Sequence, residues 1–335
     1  MSALIQAREL TKVFRTARRR EGLLGAVRAL FSRDYTSVTA VDHVDFEIQA
    51  GEMVGYVGPN GAGKSTTVKM LSGILVPTGG QVRVDGLIPY QNRIANARKI
   101  GVVFGQRTQL WWDIPVIESF RLLKEIYEVP ESIYRENLAS FADTLGLDEL
   151  LPIPVRQLSL GQRMRCDLAA ALLHSPRIVY LDEPTIGLDV VAKEHIREFI
   201  KTINRERGTT VLLTTHDLRD IEELCRRIMI IDHGRIIYDG GLAEIKARYG
   251  KYRVLVCDVK EPLVPQEALS QPFGPDGAEI VRQEEHRLWI RFPAEGVSAA
   301  AVTALVMERY AVLDLTIEEP SIESVIKEIY NRRVA

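Results

Sequence analysis

The run Gly58, Pro59, Asn60, Gly61, Ala62, Gly63, Lys64, Ser65, Thr66 constrains the fold of this chain more than any other segment. It fits the spacing G-x-x-x-x-G-K-[ST], and that spacing has a mechanical reason. Glycines let the backbone curl until successive N–H groups face one phosphate chain, and a helix starting at the end of the loop adds its positive pole. Both flanks fit this reading: residues 53–57 form a short apolar run of strand length, and residues 64–75 have helical composition and spacing. Lys64 is placed to supply a point charge to the β- and γ-phosphates, and the Ser65 hydroxyl to ligate magnesium. The expected ligand is a nucleoside triphosphate.

A strand–loop–helix unit of this kind belongs in a parallel α/β sheet, and the rest of the first 245 residues follows suit. Strands are expected at 4–10, 41–48, within 77–86, and at 99–104, 177–181 and 209–215. Helices are expected at 163–174, 193–207 and 217–226, with a mostly helical stretch at 116–151 broken near Pro130 and Gly146. Chemistry-bearing residues fall at the ends of the strands. Ile178-Val179-Tyr180-Leu181 delivers Asp182, suited to a magnesium partner, and Glu183, suited to orient or deprotonate an attacking water. His216 follows an apolar run where an imidazole can reach a γ-phosphate, and Gln106 follows another where its amide can sense metal and water.

At 335 residues the chain is long for a single core, so two domains are expected, 1–248 and 249–335. No apolar run reaches the 18 residues of a spanning helix, and the N-terminus lacks the pattern of a secretory signal. Cys166, Cys225 and Cys257 are far apart and lack metal-ligand spacing, which argues for a cytosolic protein without disulfides or zinc. The net charge of −2 makes no case for nucleic acid, and no such partner is expected. The charge is uneven, however. From Lys12 to Arg33 there are seven basic residues and one acidic one, and Leu23, Leu24, Val27, Leu30 and Phe31 recur at helical spacing. This basic insertion, 15–38, reads either as an amphipathic helix for an anionic membrane surface or as a solvated surface helix.

With the pentapeptide Leu158-Ser159-Leu160-Gly161-Gln162 added, the chain resembles the ATP-binding subunits of ATP-binding-cassette (ABC) transporters. The motifs stand in family order: the Walker A loop 58–66, Gln106 of the Q-loop, the signature 158–162, the Walker B strand 178–183, the D-loop Gly187-Leu188-Asp189, and the switch His216. The resemblance implies a P-loop NTPase core with a helical subdomain at about 107–165. It also implies ATP and Mg2+ as ligands and a head-to-tail dimer, in which Ser159, Gly161 and Gln162 of one copy act in trans on ATP held by Lys64 of the other. A separate permease would anchor the dimer peripherally at the cytoplasmic face of the membrane.

Two positions depart from the family pattern. Leu160 stands where glycine is usual, although Ser159 and Gly161 remain. The basic insertion also displaces the aromatic expected to stack on adenine; spacing favours Tyr35 over Phe14. The run 104–113, with Gln106, Trp111 and Trp112, resembles a bacterial exporter subgroup close to the daunorubicin-resistance ATPases. By that resemblance the chain powers export of drugs or toxic compounds. Trp111 and Trp112 suit either a groove for a permease helix or the core of the helical subdomain. Residues 249–335 are expected to fold as a small α+β accessory domain in a βββαβα order. The other function classes are a soluble ABC ATPase acting on ribosomes or DNA and a nucleotide-dependent regulator without turnover; Glu183 argues against the second.

Overall fold

Short strands that are apolar along most of their length are buried on both faces, and here they form the main sheet of the first 240 residues. In the computed structural model, β3 (Met53–Val57), β5 (Ile100–Phe104), β6 (Ile178–Asp182), β7 (Thr210–Thr214), β8 (Arg227–Asp232) and β9 (Arg235–Gly241) make a six-stranded sheet in the order β5-β6-β7-β3-β8-β9. The pairs β5/β6, β6/β7, β7/β3 and β3/β8 are parallel. The structure describes residues 3–17, 35–105, 107–250, 252–264, 266–274 and 277–319, together with 322, 323, 325, 326 and 329.

A second sheet, in the order β2-β1-β4, is built from β1 (Ile5–Ala17), β2 (Tyr35–Ile48) and β4 (Gly79–Val84), all antiparallel. Its inner face (Ile5, Leu10, Val44, Ile48, Val82, Val84) shares one core with Val54, Tyr56, Tyr180 and Leu212 of the central sheet. Helix α1 (Lys64–Leu71) contributes Val68, Met70 and Leu71 to that core. Each of these side chains contributes roughly 1.5–3 kcal/mol when fully buried.

The strands of the second sheet are longer than the sequence suggests. The β1–β2 ladder continues past Leu10 through Phe14↔Val38 to Ala17↔Tyr35, so residues 15–17 and 35–38 of the expected insertion are strand. The amphipathic helix expected over 23–31 lies outside the described residues. Short α2 (Arg93–Ala97) precedes β5. The helical stretch resolves into α3 (Val116–Ile126) and α4 (Glu131–Leu145), which ends on Gly146 in the left-handed conformation. Then come a 3-10 turn (Val155–Gln157) and α5 (Leu160–Leu172). Further on, α6 (Val190–Arg207) starts three residues earlier than expected, and α7 (Leu218–Leu224) is shorter than expected. Strands β8 and β9 have no counterpart in the sequence reading.

The chain divides into two units, Met1–Gly240 and Gly241–Ala335. The break falls ahead of the expected 248/249 step because α8 (Leu242–Tyr249) belongs to the second unit. That unit has a five-stranded antiparallel sheet in the order β11-β12-β13-β10-β14. The strands are β10 (Tyr252–Val259), β11 (Gln266–Pro272), β12 (Glu279–Gln283), β13 (Arg287–Pro293) and β14 (Val312–Glu318). Helix α9 (Ala299–Arg309) packs Val302 and Val306 onto Leu255, Cys257, Leu288, Ile290 and Phe292. β11 is one strand more than the sequence reading gave. Cys166, Cys225 and Cys257 are all buried free thiols.

Candidate functional site

The loop between β3 and α1 is held too tightly for side chains at two of its glycines. A Cβ at Gly58 would lie 2.2 Å from the Ile231 carbonyl oxygen, and Gly63 has φ +112° with its Cβ position 2.3 Å from the Ala40 oxygen. The loop is therefore clamped between β8 and β2. Lys64 is only 6% exposed, and its Nζ donates to the carbonyls of Gly58 at 2.6 Å and Pro59 at 3.0 Å. Burial pulls this ammonium below its ordinary pKa, and the Glu183 and Asp182 carboxylates oppose that pull. Carboxylates so close identify the far wall of the site.

Asp182 ends β6, which is separated from β3 by β7. Its Oδ1 accepts from Ser65 Oγ at 3.3 Å and from the Thr214 hydroxyl. Its backbone oxygen accepts from Gly105 N–H at 2.7 Å. Glu183 then leaves the strand in the left-handed region, at φ +58°, while its N–H donates to Thr214 O at 2.8 Å. A positive φ at a glutamate is costly and is held by surrounding structure, as is common at functional sites. The turn aims the carboxylate at His216, whose Nε2 lies 2.6 Å from Glu183 Oε1. Between α1 and these strand ends lies a cavity of about 350 Å³ lined by Ser65, Lys69, Ile74, Phe104, Gly105, Arg107, Asp182 and Glu183. Lys69, Arg107 and Thr214 were not foreseen. Lys69 is four residues after Ser65, one helical turn along the same face, and this spacing was readable.

The structure brings Lys64, Ser65, Asp182, Glu183 and His216 together. Gln106 lies outside the described residues. The signature residues do not line this cavity. Ser159 instead caps α5: its Oγ accepts from Gln162 N–H at 3.2 Å, and Gln162 Oε1 accepts from Ser159 N–H at 2.9 Å. The helix thus starts at Leu160, not at Arg163 as expected, and Gly161 N–H belongs to its unsatisfied first turn. Leu160 has no positive φ, consistent with a residue other than glycine there. Its Cδ2 reaches the D-loop, 3.0 Å from where a Cβ on Gly187 would be. Asp189 caps α6 through Ala192 N–H at 2.8 Å.

The two candidate aromatics differ in position. Phe14 pairs with Val38, two residues from Ala40, and its ring is 39% exposed with Lys12 Nζ 5.3 Å from the centroid. Tyr35 pairs with Ala17, five residues from Ala40, which is about 17 Å of strand. The Tyr35 side chain lies outside the described residues. Trp111 and Trp112 are 39% and 50% exposed, not core, and the Arg163 guanidinium sits 5.6 Å from a Trp112 ring centroid.

Comparison with known proteins identifies the family. Residues 41–186 match the family model described as ABC transporter. The linearmycin resistance ATP-binding protein LnrL of Bacillus subtilis (strain 168) is 31% identical over 310 residues, 89% of this chain and 96% of the relative. The daunorubicin/doxorubicin resistance ATP-binding protein DrrA of Streptomyces peucetius is 34% identical over 242 residues, 72% of this chain and 73% of the relative. The methionine import ATP-binding protein MetN of Geobacillus kaustophilus (strain HTA426) is 32% identical over 266 residues, 78% of each chain. Among solved structures, the dimeric post-hydrolysis state of the ATP-binding cassette MJ0796 bound to ADP and Pi superposes with TM-score 0.59 at 27% identity. That match covers 71% of this chain and 98% of the other. The chain belongs to the ATP-binding subunits of ABC transporters, and it is an ATPase of that family.

Proposed function

We propose that two copies of the Walker A and signature halves close head to tail on ATP and drive a separate permease that exports drug-like or toxic compounds. One observation carries the trans arrangement. Ser159, Gly161 and Gln162 present a capped helix start with Gly161 N–H in a first turn where the helix supplies no acceptor, yet they line no part of the cavity formed by their own Ser65, Asp182 and Glu183. In this reading Lys64 and the loop N–H groups hold the phosphates, while Glu183 orients and deprotonates the water with His216 beside it. Phe14, nearer to the loop, is the better platform for adenine than Tyr35. Asp189 lies at the edge that meets the second copy.

The donor set suits magnesium: Ser65 and Asp182 offer hard oxygens 3.3 Å apart, and Gln106 follows the strand paired to Asp182. When bound, the ion would neutralise phosphate charge there. The exposed Trp111 and Trp112 suit the permease contact, and the unit Gly241–Ala335 suits dimer support or ligand sensing. Among the described residues no helix is long and apolar enough to cross a membrane, so docking on the permease would be what holds the chain peripherally.

Similarity to LnrL over nearly both full lengths, second unit included, supports export. Deletion of the coding sequence should sensitise cells to amphipathic antibiotics, with rescue by the wild-type chain but not by Glu183→Gln. Loss of methionine uptake without sensitisation, or co-purification with ribosomes or DNA instead of a permease, would overturn the reading.

A further inference from the structure

We propose that Asp167 is a positioning residue for ATP turnover: its carboxylate ties Thr108 and Gln109, just past Gln106 in the chain, to the signature helix α5, while Gly105, just before it, is tied to β6. Asp167 sits in α5 within the run Cys166-Asp167-Leu168-Ala169-Ala170-Ala171, where every residue is buried, and it is itself only 4% exposed. A carboxylate buried there costs free energy unless it is hydrogen-bonded. Burial pushes its pKa up to about 6, while bonds from Thr108 and Gln109 and the Arg163 charge hold it down.

Those bonds come from a segment 58 to 59 residues away. Thr108 Oγ1 donates to Asp167 Oδ1 at 2.8 Å, Gln109 N–H to the same oxygen at 3.1 Å, and Gln109 Nε2 to the Asp167 carbonyl at 2.9 Å. The Thr108 hydroxyl also accepts from Leu110 N–H at 3.1 Å, which fixes its direction. Beyond it the chain stays on the helical subdomain: Trp111 N–H donates to Ser119 Oγ, Arg156 N–H to Trp112 O, and Arg156 pairs with Asp113.

The other side of Gln106 is anchored to β6. Phe104 pairs with Asp182, Gly105 N–H donates to Asp182 O at 2.7 Å, and Arg107 N–H closes a turn on Phe104 O at 2.9 Å. Only residues 106 and 107 separate a residue held by Asp182 from one held by Asp167. The turn closed by Arg107 N–H on Phe104 O keeps this link short. A rotation of the signature helix against the Walker B strand would therefore act on the short link between Gly105 and Thr108. Without the staple the same rotation would be absorbed in 107–110.

The proposal rests on reading Gln106 as a contributor to turnover, and the test separates the two. ATP hydrolysis is measured on the purified full-length chain. Asp167→Ala should lower kcat about tenfold with KM for ATP within about twofold. Asp167→Asn keeps an oxygen acceptor for Thr108 and Gln109 and should retain at least about half of kcat. Thr108→Val should lower kcat on its own and add nothing in the Asp167→Ala background, because residues that act through one bond are not additive. Unchanged kcat in Asp167→Ala, KM rising in step with the loss, Asp167→Asn as low as Asp167→Ala, or additive losses would each overturn the proposal. Should Asp167→Ala fail to fold, Thr108→Val against Asp167→Asn decides it: the first low and the second near wild type supports the staple, any other pattern sinks it. Gln106→Ala is run in parallel. Wild-type kcat there removes the role of Gln106 alone, while non-additivity between positions 108 and 167 still reports the staple.

Discussion

His216 Nε2 and Glu183 Oε1 lie 2.6 Å apart, across the ends of two adjacent parallel strands. The pair is held by backbone on both sides: Glu183 N–H bonds Thr214 O, and Thr214 immediately precedes the Thr215-His216 step. The carboxylate is thus oriented before any substrate arrives, which is what a general base for water requires.

Replacing Glu183 by Gln keeps size and the contact with His216 but removes the proposed base. ATP binding should persist, turnover should fall by about a hundredfold or more, and the ATP-bound dimer should accumulate on size exclusion. Hydrolysis at the wild-type rate would show that the base lies elsewhere. His216→Ala should also lower kcat, because the partner that orients Glu183 is gone.

At Gly187, φ is +70° and a Cβ would meet Leu160 Cδ2 at 3.0 Å. Gly187→Ala should therefore destabilise the first unit by roughly 1–3 kcal/mol through backbone strain and contact together. Adding Leu160→Ala should restore the steric part but not the backbone part. A differential scan of the three variants checks this; full recovery in the double variant would mean that φ at 187 costs nothing.

Phe14→Ala should raise the dissociation constant for ATP by about tenfold, in line with loss of a stacked aromatic face worth roughly 1–3 kcal/mol. Tyr35→Ala should change it little. Equilibrium titration with a fluorescent ATP analogue reads both, and the opposite ranking would return the adenine platform to Tyr35.

Stability should also fall with acid in a way that traces to one histidine. His174 stacks on Tyr127 at 4.1 Å, and burial drops its imidazole from about 6.5 to about 4. Between those values the unfolded chain binds a proton that the folded chain does not, so stability declines as pH falls from about 6.5 to about 4. Asp167, raised to about 6, has the opposite slope below that value. In an Asp167→Asn background, His174→Gln should flatten the loss between pH 7 and pH 5 in urea unfolding. An unchanged slope would remove His174 as its source.

The parts of this molecule that were legible in the sequence are local. The phosphate loop, the Ile178–Leu181 run before Asp182 and the apolar run before His216 each carry their chemistry within a few residues, so pattern alone placed them. The start of α5 was also local and was still misplaced. Ser159 and Gln162 form the S-x-x-Q capping box, a sequence signal for a helix beginning at Leu160 rather than Arg163. Strand β8 was missed although Ile228–Ile231 is an unbroken buried run, because no motif follows it to draw attention. The Asp167 staple could not have been read: its partners are 58 and 59 residues away, and an aspartate in an alanine-rich helix looks like a surface residue until the packing is known.

After its last register shift, the β1–β2 ladder runs regularly from Val13↔Thr39 out to Ala17↔Tyr35. Because Ala17 and Tyr35 are paired, a tight two-residue hairpin turn could join them and leave the clamp on Gly63 at Ala40 undisturbed. The same junction would accept a foreign peptide, offering a place to graft a tag or a binding loop onto the motor.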